Sequence, residues 1–297
     1  MRYIDTHCHI GRLYVGNDGL LTEEAVLSAM DRAGIERAAL LPIESPEEAH
    51  FYVTTEEVLG VCRRHPDRFI PFCNVDPRIA SGDNSAILRE RLRQYREQGC
   101  RGYGEAMSGL AVDDIRLQRV YAICGEFGMP VVYHMDAERN LDAPGFPGLE
   151  RMLRQFPSTV FVGHGQRFWA EISGDADSSQ YGGYPSGPVT PGGAIVRLLE
   201  TCSNLYADLS ARSALNALTR GPDPAFASRF LERFQQKLFF GSDLCSASQA
   251  AQPLPIMELL QRERAAGRLS ETAFRRIARE NALRVFALSE THCCPRP

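Results

Sequence analysis

Five stretches of this 297-residue chain end in residues that can hold a metal or carry a proton. The first is Asp5-Thr6-His7-Cys8-His9, behind the short apolar start Met1 to Ile4. On a β-strand, side chains at i and i+2 share a face, so His7 and His9 converge on one point. Paired neutral imidazoles suit a divalent transition metal. Glu105 closes Gly102-Tyr103-Gly104-Glu105, and His134 closes Val131-Val132-Tyr133-His134. His164 stands in Phe161-Val162-Gly163-His164-Gly165, and Asp243 in Phe239-Phe240-Gly241-Ser242-Asp243. Each has a plain reading when taken alone: a rim hydrogen bond for His134 or His164, a salt bridge for Glu105, a helix N-cap for Asp243. Together with His7 and His9 they read as one metal site. His50, His65 and His292 lie in helical, connecting or tail segments and read as bystanders.

The elements that must position these residues alternate along the chain. Short apolar runs predict eight strands: Tyr3–His9, Ala38–Ile43, Phe69–Val75, Cys100–Glu105, Pro130–His134, Thr159–His164, Asn204–Leu209 and Lys237–Gly241. Amphipathic stretches separate them, at Thr22–Ala33, Thr55–Arg64, Ala86–Gln98, Asp113–Phe127, Gly148–Gln155, Gly193–Cys202 and Ala225–Gln235, and Glu271–Phe286 closes the series. Continuous apolar strands indicate a parallel sheet covered by helices. Eight β-then-α units predict an α/β fold, a single (β/α)8 TIM barrel over residues 1–290 with a tail at 291–297. An open doubly wound sheet is the alternative. The barrel is preferred because only closure brings all the polar strand ends to one mouth. Ser173 to Gly193, with Gly182-Gly183-Tyr184-Pro185 at its centre, follows strand six and reads either as a loop on that mouth or as a solvated insertion.

Composition narrows the function. A net charge of -4 leaves no electrostatic footprint for nucleic acid or an anionic membrane. No apolar run approaches the ~20 residues of a membrane helix, and the start lacks the plan of a signal peptide. Nine scattered cysteines without C-x-x-C fit a reduced, cytoplasmic chain. Lys237 is the only lysine, so lysine chemistry must use it or be absent.

The order His-x-His, Glu, His, His, Asp on successive strands resembles the amidohydrolase superfamily of metal-dependent hydrolases. The resemblance runs from Asp5 to Glu280-Asn281-Ala282-Leu283-Arg284-Val285-Phe286, an ending similar to the amidohydrolase-2 branch, which holds hydrolases and decarboxylases. Many members bridge two metals with a carboxylated lysine. Here Glu105 takes that place, as in TatD-like nucleases, and Lys237 begins strand eight at the opposite end of the barrel.

The resemblance implies roles. His7, His9 and Asp243 would hold a first metal, His134 and His164 a second, with Glu105 bridging. Zinc suits the donors, with manganese as an alternative, at one or two ions per chain. Two cations sharing a water would lower its pKa toward ~7. Asp243 would carry the proton, and in a one-metal site His164 would be free for acid/base work. The implied reaction is hydrolysis of a small-molecule ester, lactone, amide or phosphoester. The alternative is a zinc-dependent decarboxylase of an unsaturated or aromatic carboxylic acid, with His7, His9, His134 and Asp243 on one ion. A non-catalytic metal-binding scaffold is a third reading. Arg12, Arg167, Trp169 and Arg212 lie just beyond strand ends and are candidate substrate contacts, Arg as a fork for carboxylate or phosphate. The expected partner is a small molecule, with neither nucleic acid nor membrane, and homo-oligomerisation is left open.

Overall fold

The structure, a computed structural model, describes residues 2–12, 19–48, 50–79 and 82–289, the side chain of Arg12 excepted. The tail at 291–297 lies outside the described residues. Eight parallel strands form the frame: β1 (Tyr3–Cys8), β2 (Ile35–Leu40), β3 (Phe69–Pro71), β4 (Tyr103–Ala106), β5 (Val131–His134), β6 (Phe161–His164), β7 (Leu205–Asp208) and β8 (Leu238–Phe239). They pair as β1-β2-β3 and β4-β5-β6-β7-β8. Two seams join these sheets. At one, Cys73 N donates to Gly102 O at 3.0 Å and Gly104 N to Cys73 O at 2.9 Å. At the other, Thr6 N donates to Phe240 O at 3.0 Å and His9 N to Leu244 O at 2.9 Å. The sheets therefore meet at both edges, in the strand order of an eight-stranded barrel and not of an open sheet.

All six residues of β1 and all four of β6 and β7 are buried, as expected of strands packed on both faces. Ile4, Ala39, Ile70, Val132, Val162, Tyr206 and Phe239, from seven of the strands, fill the barrel's inside. Ala282 and Phe286 of the closing helical segment join that cluster. The Phe286 ring sits 5.1 Å from Phe72 and 5.6 Å from Phe239. One such buried ring contributes ~1.5–3 kcal/mol. Lys237, before β8, donates to Leu199 O and Cys202 O at the carboxyl end of the helix Ala194–Thr201, at the base of the barrel as expected.

Sequence signals set the helix ends. Thr22 accepts from Ala25 N to start Glu23–Ala33, and Gly34 ends it with φ at 69°. Thr54 and Glu57 form a capping box on Thr55–Arg64. The helices Ala211–Thr219 and Pro255–Ala265 lie where no element was expected. No helix among the described residues is long and apolar enough to cross a membrane.

Candidate metal centre

Strand parity aims the site. Val132 and Val162 point into the barrel, so His134 and His164, two residues on, point inward one layer above them. A register break in β1 between Asp5 and Cys8 accompanies the turn of His7 and His9 into the mouth. Asp243 is held by its backbone: its N–H donates to His7 O at 2.8 Å, and Asp5 Oδ1 accepts from Ser242 N at 2.9 Å. Its φ of 53° is a left-handed conformation, uncommon outside glycine and frequent at functional sites. Gly241 beside it must stay small, because a Cβ there would lie 2.8 Å from Ser210 Cβ and 3.1 Å from His7 Cβ.

All six expected ligands meet. His7 Nε2 and His9 Nε2 lie 3.2 Å apart. Glu105 Oε2 is 3.4 Å from the first and 3.3 Å from the second. Asp243 Oδ1 is 3.6 and 3.5 Å from the same two atoms. The other oxygen, Glu105 Oε1, lies 2.8 Å from His134 Nδ1 and 3.5 Å from His164 Nε2. The two Glu105 oxygens thus face two separate histidine pairs. Asp243 Oδ2 is 3.9 Å from His164 Nε2 and, with 22% of its side chain exposed, Asp243 is the most open member of the cluster.

These residues fit a divalent metal on two counts. His7 Nδ1 donates to Asp208 Oδ2 at 2.7 Å and His9 Nδ1 to Leu41 O at 2.8 Å. Both rings then aim Nε2 at one point between Glu105 and Asp243, where deprotonated rings would present two lone pairs to a cation. Ligands at 2.0–2.1 Å around a tetrahedral zinc lie about 3.3 Å from one another. The separations around His7 and His9 run from 3.2 to 3.6 Å.

Asp208, on β7, was not among the expected site residues. It accepts from His7 with one oxygen and from His164 Nδ1 with the other, at 3.0 Å, fixing both tautomers. Ser210 Oγ donates to Asp208 Oδ1 at 2.6 Å. Asp136 does the same for His134, whose Nε2 lies 3.1 Å from Asp136 Oδ2. Arg139 donates to Asp136 at 2.6 Å and to Glu48 at 3.0 Å, tying the loop after β2 to this histidine.

The candidate substrate contacts do not join the cluster as closely. Arg167 is buried, with its guanidinium 4.3 Å from the centre of the Tyr181 ring. Trp169 is 1% exposed, edge-on to Phe168 and Phe230. Arg212 is exposed and lies 5.7 Å from the Tyr184 ring in the Ser173–Gly193 loop. Arg12's side chain lies outside the described residues.

Charge is shared across the cluster. Burial disfavours an imidazolium at His9, yet Asp243 and Glu105 prevail and hold its pKa at about 9. Burial is likewise outweighed at His134 by Asp136 and Glu105, again to about 9. Glu105 is pushed up by burial, but His7 and His134 draw it well below the usual carboxylate range. For the metal-free chain the sign follows. A raised histidine pKa adds stability fully below the unfolded value near 6.5, and that stability is lost as pH rises through about 9. Chelator-stripped protein should therefore melt at falling temperature from pH 6.5 to 9, whereas the metal-loaded protein, its imidazoles already deprotonated, should not. Parallel melting curves for the two forms would refute this charge assignment.

The histidine–carboxylate cluster at the barrel's carboxyl rim, oriented by buried carboxylates, offers the donor set of a candidate metal site. The chain belongs to the amidohydrolase family, whose model, described as "Amidohydrolase", matches residues 4–288. No curated protein matches the sequence. Among solved structures, a zinc-bound amidohydrolase from Burkholderia multivorans is 16% identical, with 97% of this chain and 100% of that one covered and a TM-score of 0.64. A protein from Pseudomonas putida assigned as a 2-pyrone-4,6-dicarboxylic acid hydrolase is 16% identical over 98% and 99%, with a TM-score of 0.64. The 2,6-dihydroxybenzoate decarboxylase of Rhizobium is 15% identical over 97% and 99%, with a TM-score of 0.57. At such identities these likenesses speak for the fold.

Proposed function

We propose that this chain is a metal-dependent hydrolase of a small-molecule ester, lactone, amide or phosphoester. The observation that carries the reading is the division of Glu105, one oxygen toward His7 and His9 and the other toward His134 and His164. A carboxylate so placed suits a bridge between two cations. Bound zinc, or manganese, would polarise the scissile carbonyl or phosphoryl oxygen and acidify water.

The chain's own residues supply the rest. Asp243, the most exposed carboxylate of the cluster, takes the proton from the attacking water and delivers it to the leaving group. His164 Nε2, 3.5 Å from Glu105 Oε1, stands with His134 in the second ligand group, and Asp208 keeps it in the tautomer that leaves Nε2 free for a cation. Arg212, exposed beside Tyr184, is a candidate partner for an anionic substrate group, as is Arg12 by its place in the sequence after β1. Arg167 would engage substrate by leaving Tyr181, and Trp169 only through its indole N–H. The hydrolase assigned in Pseudomonas putida supports this reading by analogy.

One observation favours a second reading. His134 Nδ1 lies only 2.8 Å from Glu105 Oε1, closer than two donors on one zinc stand. That spacing suits a one-metal site that differs from the expected ligand set, with His134 hydrogen-bonded to Glu105 and not on the ion, and with it a decarboxylase of an unsaturated or aromatic carboxylic acid. Solvent labelled with heavy oxygen separates the two. A hydrolase should place the label in product from a panel of lactones, esters and phosphoesters, and the carboxylic acids should yield no carbon dioxide. Carbon dioxide released at enzymatic rates, with no hydrolysis anywhere in the panel, would hand the site to the second reading.

A further inference from the structure

Five polar atoms without partners meet beneath the loop that follows β6. The helices Gln166–Ala170 and Ala211–Thr219 pack together as they leave β6 and β7. The first brings Gln166 Oε1 and Trp169 Nε1, the second Ser213 Oγ, and its carboxyl cap Arg220 adds Nε and Nη2. All five atoms are buried and none has a hydrogen-bond partner. Their four residues line one crevice roofed by Gly183, Tyr184 and Pro185. As the roof lies, the crevice leaves no room for a water molecule, so water is not the missing partner. On the other side of the roof, the same three residues and Arg220 border a cavity of about 420 Å³.

Four of the five atoms are donors: an indole N–H, a hydroxyl and two guanidinium N–H groups. Trp169 is 1% exposed and Ser213 4%. Arginine keeps its charge, and buried donors without acceptors are strongly unfavourable. No acidic residue lines the crevice. Asp175, across the larger cavity, hydrogen-bonds Ser173 and Thr190 and acts on Arg220 only as a nearby charge, without a hydrogen bond to it. The one acceptor, Gln166, gains a donor in the same place by a half-turn of its amide. Converging donors around an unpaired guanidinium are what a small oxyanion requires. Nothing lies within 4 Å of a Cβ built on Gly183, so no packed neighbour lies on that side of it, and raising Gly183–Pro185 would open the crevice into the larger cavity.

We propose that this crevice binds one carboxylate or phosphate group, with Gly183–Pro185 as its lid. Trp169 is the chain's only tryptophan, so its fluorescence reads the site directly. The test is titration of the full-length, chelator-stripped protein with inorganic phosphate and, separately, with acetate, against sodium chloride at equal ionic strength. Trp169 emission should change and saturate with at least one of the two anions but not with chloride, and whichever saturates names the group bound. Arg220→Met should raise the half-saturating concentration at least tenfold, the scale of a lost hydrogen bond to a charged group, and Ser213→Ala severalfold. Emission that follows ionic strength alone would overturn the proposal, as would Arg220→Met binding as tightly as the parent. If Arg220→Met does not fold, the parent titration and Ser213→Ala decide the matter. Because the test needs neither metal nor turnover, it can fail while the hydrolase reading stands, and the reverse.

Discussion

Glu105→Gln should yield a folded barrel that holds one metal at most and hydrolyses substrate about a thousandfold more slowly or worse. The amide keeps the shape of the carboxylate but presents one oxygen where two are needed. It can face His7 and His9 or His134 and His164, and the NH2 turned toward the other pair repels a cation. Loss of one preorganised charge contact to a transition state is felt on that scale. Elemental analysis under metal-replete conditions and rates on the ester, lactone and phosphoester panel check it, with circular dichroism as the control for folding. Two metals retained at full rate would remove Glu105 from the bridging role.

Asp208→Asn should be nearly as damaging although Asp208 is fully buried behind His7 and His164. Its two oxygens receive one proton each, from His7 at 2.7 Å and His164 at 3.0 Å. Asparagine can accept only one of these. The other imidazole then meets an N–H and must move its own proton to Nε2, which removes it as a ligand. His7 belongs to the first ligand group and His164 to the second, so whichever way the amide turns, one group loses a donor. Metal affinity should fall by ~10–100-fold, the usual consequence of disturbing a ligand's outer partner. Competition with a chromophoric chelator measures this. Unchanged affinity would mean that the barrel frame alone orients the rings.

The strands and the six residues that cluster at the mouth were legible in the sequence because each strand is a short apolar run with polar residues at or just beyond its end. Asp208 followed the same rule and was passed over. It stands two residues after Tyr206, as His134 stands after Val132 and His164 after Val162, and Tyr206 shares their inward face. That parity is the signal that would have found it. Asp136, Arg139 and Glu48 carried no such mark, because their partnership depends on how two loops return over the mouth. Helix Ala211–Thr219 escaped notice because it is short and its buried face, Ser213, Ala214 and Ala217 with Leu218, is built mostly of small residues that do not read as an apolar stripe. Trp169 illustrates the limit of position as a guide. It follows His164 closely, yet its ring turns toward Phe168 and Phe230.

The seam between β1 and β8 gives the metal a second meaning. Thr6 and Phe240, hydrogen-bonded across it, are 234 positions apart, and His7 and Asp243 sit directly above that join. An ion held by those two residues with His9 would cross-link the first strand of the ring to the last. In the unfolded chain, bringing such distant segments together has an entropy penalty that grows with the length between them. Part of the binding free energy is then folding free energy. The ion would act as a clasp on the closed ring, and the step that opens the barrel and the step that releases the ion would be the same event.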